Sequence, residues 1–164
     1  MIEQRGNIWD LYQQDSSKDK WLIITTNGFI KNNGKAVMGA GIAKQAKERF
    51  FDLDTTLGKL IRFNGFNTVF PLPNVTDINN NNYNLICFPV KYNYWEKASL
   101  KLIEESLILL YNFIRYFYEQ NNILPTIYSV KPGCGNGKLE WNQVKPIMEK
   151  YFKYCDNIIV VERQ

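Results

Sequence analysis

Short, β-branched apolar runs alternate with stretches of helical periodicity along nearly the whole of this chain. Strands and amphipathic helices that alternate in this way pack as a sheet covered on both faces, which leaves few architectures open. Residues 21–26 form a short apolar run that reads as a buried strand. Residues 41–50 turn helical, with Ile42, Ala46 and the pair Arg49 and Phe50 spaced for one face. A second helix is expected from Asp52 or Asp54, either of which could cap it, through Leu53, Leu57 and Leu60. Segments 68–72 and 85–90 read as strands, and the tract Asn79, Asn80, Asn81, Asn82 between them as an exposed loop or hairpin tip.

The longest helix begins near Lys97 and carries an apolar stripe at Leu100, Ile103, Leu107, Leu110, Ile114 and Phe117. Asn121 and Asn122 end it, and a strand over 126–130 follows Pro125. A final helix follows Trp141, its regular part placed near Pro146 because proline is comfortable only in a first turn. Residues 157–162 close the chain as a strand. The expected fold is α/β, a three-layer α/β/α sandwich, and 164 residues suit a single domain over 1–164.

The chain contains no histidine. That removes Ser-His and Cys-His nucleophile pairs, the commonest general base and the commonest zinc ligand. Catalysis near neutral pH then falls to Lys, Asp, Glu, Tyr, Cys or ordered water. Cys87, Cys134 and Cys155 are far apart with no C-x-x-C pair, which argues against a disulfide framework or a zinc site and suits a reducing cytoplasm. The net charge of +4 is modest, and no dense aromatic-basic pattern marks a general nucleic-acid binder. Residues 2–5 begin a mixed polar segment, so no signal peptide is expected. The most apolar stretch, 107–118, is broken by Asn112 and Arg115 and is too short to span a membrane.

Two glycine-bearing loops each join a strand to a helix. The first leaves the strand at Asn27 and enters a helix through Gly39, Ala40, Gly41 and Ile42. The second runs Gly133, Cys134, Gly135, Asn136, Gly137. Glycine lets backbone approach a ligand closely, and a helix start supplies unpaired N–H groups and the positive end of a dipole. Two such turns suit a diphosphate held between two walls, although either loop alone reads more readily as a tight turn. Neither is a better-known nucleotide motif: Lys44 stands where a dinucleotide fingerprint needs a third glycine, and Leu139 where a P-loop needs Ser or Thr.

Four blocks in order resemble the macro domain family: Thr26, Asn27 and Gly28; residues 37–45; Phe88, Pro89, Val90 and Lys91; and residues 132–141. The resemblance covers nearly the whole chain and is strongest toward the branch of DarG and the terminal ADP-ribose protein glycohydrolase. It implies a macro domain with a mixed, mainly parallel central sheet, binding ADP-ribose or an ADP-ribosylated macromolecule, DNA being the first candidate. It implies no metal and no cofactor, and the protein is expected to be a cytoplasmic monomer.

The resemblance also implies roles. Asn7, beside Ile8, stands where the family carries an Asp that accepts from the adenine amino group, and an Asn carbonyl can accept in its place. Asn27 matches the asparagine beside the distal ribose. Gly39, Ala40, Gly41 and Ile42, with Gly133, Cys134, Gly135, Asn136 and Gly137, match the loops that hold the diphosphate and that ribose. Lys91 matches a lysine that attacks the anomeric carbon, although a lysine at a strand end also reads as a solvated side chain. The protein glycohydrolase has an aspartate in its second loop where Gly137 stands here, which turns the expectation toward DNA-type cleavage; Glu140, the nearest carboxylate, reads as a helix cap. Cys134 reads as a small filler, Trp141 as packing for the last helix, and Trp9 or Phe29 as adenine-stacking or as ordinary packing. A non-catalytic ADP-ribose reader and a phosphatase of ADP-ribose 1″-phosphate are the alternatives.

Overall fold

The computed structural model describes residues 1–164. Its elements in chain order are β1 (Ile2–Arg5), α1 (Ile8–Gln14), β2 (Lys20–Asn27), α2 (Gly41–Arg49), α3 (Leu53–Asn64), β3 (Phe70–Thr76), β4 (Asn82–Lys91), α4 (Leu100–Asn121), β5 (Thr126–Val130), α5 (Trp141–Phe152) and β6 (Ile158–Glu162). The strands form one sheet in the order β1-β6-β5-β2-β4-β3. Every neighbouring pair is parallel except β3 with β4, so the sheet is mixed and mainly parallel.

Alternation along the central strands sorts the two faces. Leu22, Ile24, Leu85, Cys87 and Tyr128 join one core with residues of α1, α2 and α3. Trp21, Ile23, Ile86, Phe88 and Ile127 join the other with residues of α4 and α5. This is the three-layer α/β/α arrangement, and it follows from the period of two in strands buried on both sides. No helix is long and apolar enough to cross a membrane.

Several local expectations need correction. Asp52 does precede α3, but with φ 58° and no side-chain cap hydrogen bond, while Asp54 lies inside the first turn and accepts from the Thr55 N–H at 2.9 Å. The helix start is held instead through backbone: the Ala36 N–H donates to the Asp54 carbonyl at 3.0 Å. The strand expected over 68–72 runs Phe70–Thr76; Pro71 and Pro73 are tolerated because β3 is the sheet edge. The last helix starts at Trp141 rather than Pro146, because Glu140 and Gln143 form a capping box that fixes the earlier turn. Pro146 deprives the Asn142 carbonyl of a helical partner, and both residues are exposed, where the loss is small. β1 and α1 had no sequence signature: the first is four exposed residues, the second a two-turn helix burying Ile8, Trp9 and Tyr12.

Candidate functional site

β2 is the point where the chain changes direction across the sheet: β4 lies on one side of it and β5 on the other. Ligands of open α/β sheets sit beyond the carboxyl ends of the strands at such a point. Here β2 ends in Asn27 and β4 in Lys91, and the two residues pair in register after a bulge at Thr26. A crevice of about 550 Å³ opens at these ends. Its walls are the loop after β2, through Gly39 to Ala43, and the loop after β5, through Gly133 to Gly137. Asn27, Lys91 and both glycine loops are thus brought together. Asn7 and Ile8 line a second compartment of about 540 Å³, joined to the first through Ile42, Gln45, Val130 and Arg163.

The two walls leave backbone donors open. Side chains cap α1, α4 and α5, but none caps α2 or α3, and at α2 the N–H groups of Gly41, Ile42 and Ala43 find no backbone acceptor. On the opposite wall the N–H groups of Gly135, Asn136 and Gly137 are likewise without one. Such arrays of free N–H groups around a helix start or a tight turn bind anions.

The walls are held rigidly. Gly58 of α3 packs directly on the first loop: a β-carbon there would lie 2.0 Å from the Gly34 carbonyl oxygen. A β-carbon at Gly137 would lie 2.4 Å from the Gly133 oxygen, so no larger residue fits that turn as it is folded. The Gly137 carbonyl accepts from the Ala98 N–H at 2.9 Å, tying the second loop to the segment after Lys91.

Asn27 braces the first loop. Its Oδ1 accepts from the Phe29 N–H at 2.9 Å and its Nδ2 donates to the Val37 carbonyl at 3.0 Å. One amide hydrogen and one lone pair remain for a ligand. Lys91 is 7% exposed, and its Nζ donates to the Tyr94 carbonyl at 3.3 Å. Burial, with a smaller contribution from the charge of Lys138, lowers its pKa below the ordinary lysine value. Lys91 is therefore buried at the crevice floor, not a solvated strand-end lysine. No Asp or Glu lines this compartment, which is flanked by Lys131 and Arg163 as well.

Asn7 is committed differently from expectation. Its Oδ1 accepts from the Trp9 and Asp10 N–H groups at 3.0 and 3.1 Å as the cap of α1, so the carbonyl already serves two donors. The side-chain amide N–H groups are what Asn7 leaves for a ligand. Trp9 is buried against Phe50 and Tyr83, with Arg49 over its ring and its Nε1 donating to Gln45 at 2.7 Å, which closes it to stacking. Cys134 packs beside the α4/α5 core with its thiol pKa raised by burial. Glu140 is a cap, and Trp141 packs on that core while donating to Glu3 at 2.8 Å.

Gln45 and Arg163 are crevice residues that the sequence did not single out. Gln45 follows Ile42 by three positions in α2 and so shares its face, a relation legible once the helix is placed. Arg163 lies beyond β6 with no motif around it, and nothing short of the sheet order would have found it.

The chain superposes on the macrodomain of Mycobacterium tuberculosis DarG with a TM-score of 0.70 and 25% identity, covering 99% of this chain and 97% of that one. The macrodomain of Thermus aquaticus DarG gives 0.72 and 22%, with the same coverage. Thermosipho africanus DarTG in complex with ADP-ribose gives 0.68 and 21%, over 90% of this chain and 39% of that one. Neither a family model nor a curated protein sequence matches. Taken with the crevice and its two open-donor walls, these likenesses give the chain the macro domain fold and make it similar to the macrodomains of DarG.

Proposed function

We propose that this macro domain binds ADP-ribose and removes it from an acceptor, DNA first, through the amine of Lys91. The observation that carries the reading is the register pair Asn27–Lys91 at the floor of a crevice whose two walls each present three free N–H groups. The ADP-ribose held by the related Thermosipho DarTG supports the ligand. The diphosphate takes the N–H groups, and the adenosine extends toward Asn7 and Ile8. The distal ribose lies over Asn27, with its anomeric carbon toward Lys91.

The family resemblance points to Lys91 as the nucleophile, and its surroundings support that choice. No histidine exists and no carboxylate lines this compartment, Lys131 is paired with Glu162, and burial raises the Cys134 thiol pKa. Burial favours its neutral form, and the Tyr94 carbonyl accepts one N–H, leaving the lone pair to be aimed at the sugar. The amine forms a bond to the anomeric carbon as the bond to the acceptor breaks. The acceptor leaves with the electron pair and takes the proton that the alkylated amine gives up; water then displaces the lysine, which takes back a proton from that water, and ADP-ribose is freed.

The missing loop carboxylate supports a DNA acceptor over a protein ester, because Gly137 has no room for the side chain that the glycohydrolase resemblance would require. The test is release of ADP-ribose from a thymidine-modified oligonucleotide. Release that ends in Lys91→Ala, with a lysine–sugar adduct trapped by borohydride in the native protein, supports the reading. A native protein that binds ADP-ribose but cleaves no tested linkage makes it a reader.

A further inference from the structure

Three aromatic rings beside the crevice belong to neither core. Phe29 stands in the loop after β2, and Tyr94 and Trp95 in the segment after β4, so the knot is built on the two exits that carry Asn27 and Lys91. Each ring meets the other two edge to face, with centroids 5.2 Å apart for Phe29–Tyr94, 5.4 Å for Phe29–Trp95 and 4.9 Å for Tyr94–Trp95. Such packing fixes the rings without covering them: Tyr94 is 47% exposed and Trp95 63%. Burial does not account for a rigid aromatic surface of this kind, whereas contact with a planar ligand does.

Two links join the knot to the site. Tyr94 lines the crevice, and its carbonyl accepts from the Lys91 Nζ. The Gly28 N–H donates to the Tyr92 carbonyl at 3.0 Å, which stitches the two supporting segments together. Those segments also carry Lys31, Lys35 and Lys97 against the single acid Glu96. Exposed aromatic rings amid lysines take the bases and phosphates of an unpaired strand, whereas bases within a duplex are already stacked and out of reach. The sequence shows no aromatic-basic pattern because Phe29 lies more than sixty positions from Tyr94.

We propose that Phe29, Tyr94 and Trp95 form a stacking platform for the nucleobase that carries the ADP-ribose, and so select the acceptor. This rests on the ADP-ribose reading above. The platform holds the base outside the crevice while the attached ribose reaches Lys91, so it sets acceptor specificity rather than chemistry.

The test measures dissociation constants in a Lys91→Ala background, which blocks turnover. The probes are free ADP-ribose, a short single-stranded oligothymidylate bearing one ADP-ribosylated thymine, its duplex, and an ADP-ribosylated peptide. The modified single strand is expected to bind about tenfold or more tighter than free ADP-ribose, and the duplex and peptide to show no such gain. Adding Trp95→Ala should remove most of the gain while leaving free ADP-ribose within twofold, and Trp95→Phe should restore part of it. An equal gain for the peptide, no gain for the single strand, or a gain that survives Trp95→Ala each overturns the platform while ADP-ribose still binds. Absence of ADP-ribose binding in every form, native protein included, overturns the underlying reading instead.

Discussion

Gly39→Ala separates a ligand requirement from a folding requirement. Gly39 does not occupy a left-handed φ, and a β-carbon added there meets nothing within 4 Å. The folded chain therefore has no need of glycine at this position. Alanine should leave stability unchanged or raise it by about 0.4–1 kcal/mol through the unfolded chain. At this length that is a rise in Tm of at most about 4 °C. The methyl group would stand where the first loop approaches the diphosphate, so ADP-ribose affinity should fall about tenfold or more, ~1.4 kcal/mol. Gly137→Ala is the contrast, because its β-carbon would lie 2.4 Å from the Gly133 oxygen and 2.8 Å from the Ala98 β-carbon. Overpacking of that kind costs about 1–3 kcal/mol and should lower Tm by several degrees. Gly41 is a less clean probe, since its φ of 56° strains any side chain placed there. Differential scanning fluorimetry and titration calorimetry on both variants decide the matter. A Gly39→Ala protein that binds ADP-ribose as tightly as the native chain would refute the close approach of the first loop.

Lys91→Ala should abolish release of ADP-ribose from a modified oligonucleotide while weakening free ADP-ribose binding only a few-fold, and Lys91→Arg should be equally inactive because guanidinium offers no free amine; activity in either variant by a discontinuous release assay contradicts the mechanism. The rate should rise with pH to a plateau, because the amine must be deprotonated. The midpoint should lie below the ordinary lysine value of 10.5, since burial and then Lys138 lower the Lys91 pKa. Lys138→Gln removes a like charge and should move that midpoint upward; a downward move or none would place Lys138 out of reach. Asn7→Ala removes the cap of α1 and should cost about 1 kcal/mol, some 2–4 °C in Tm, measured by thermal unfolding.

The central architecture was readable because β2, β4, β5 and β6 are apolar runs and α4 carries one long stripe, so period alone distinguishes them. β1 was not readable because its four residues are exposed and held by pairing with β6 across the chain ends. Pro146 misled because a local proline rule was outweighed by the capping box that begins six residues earlier, at Glu140. At the site, the two glycine loops could be picked out from neighbours in sequence, and Lys91 chiefly through the family resemblance. The open donors of α2, the brace formed by Asn27 and the bridging place of Arg163 depend on which strands are adjacent, and order in the sheet is not order in the chain. The knot of Phe29, Tyr94 and Trp95 was hidden for the same reason, since it forms only when the exits of β2 and β4 meet.

Calorimetric titration of the native protein with ADP-ribose and with AMP bears most directly on a ligand held by two walls. On the proposed reading AMP, with one phosphate and one ribose, would reach one wall, whereas ADP-ribose would span both compartments and the free N–H groups of α2 and the second loop. ADP-ribose is expected to bind at micromolar levels and AMP at least about tenfold more weakly, a difference of ~1.4 kcal/mol. Equal affinity for the two, or no heat of binding with millimolar ADP-ribose, would contradict it.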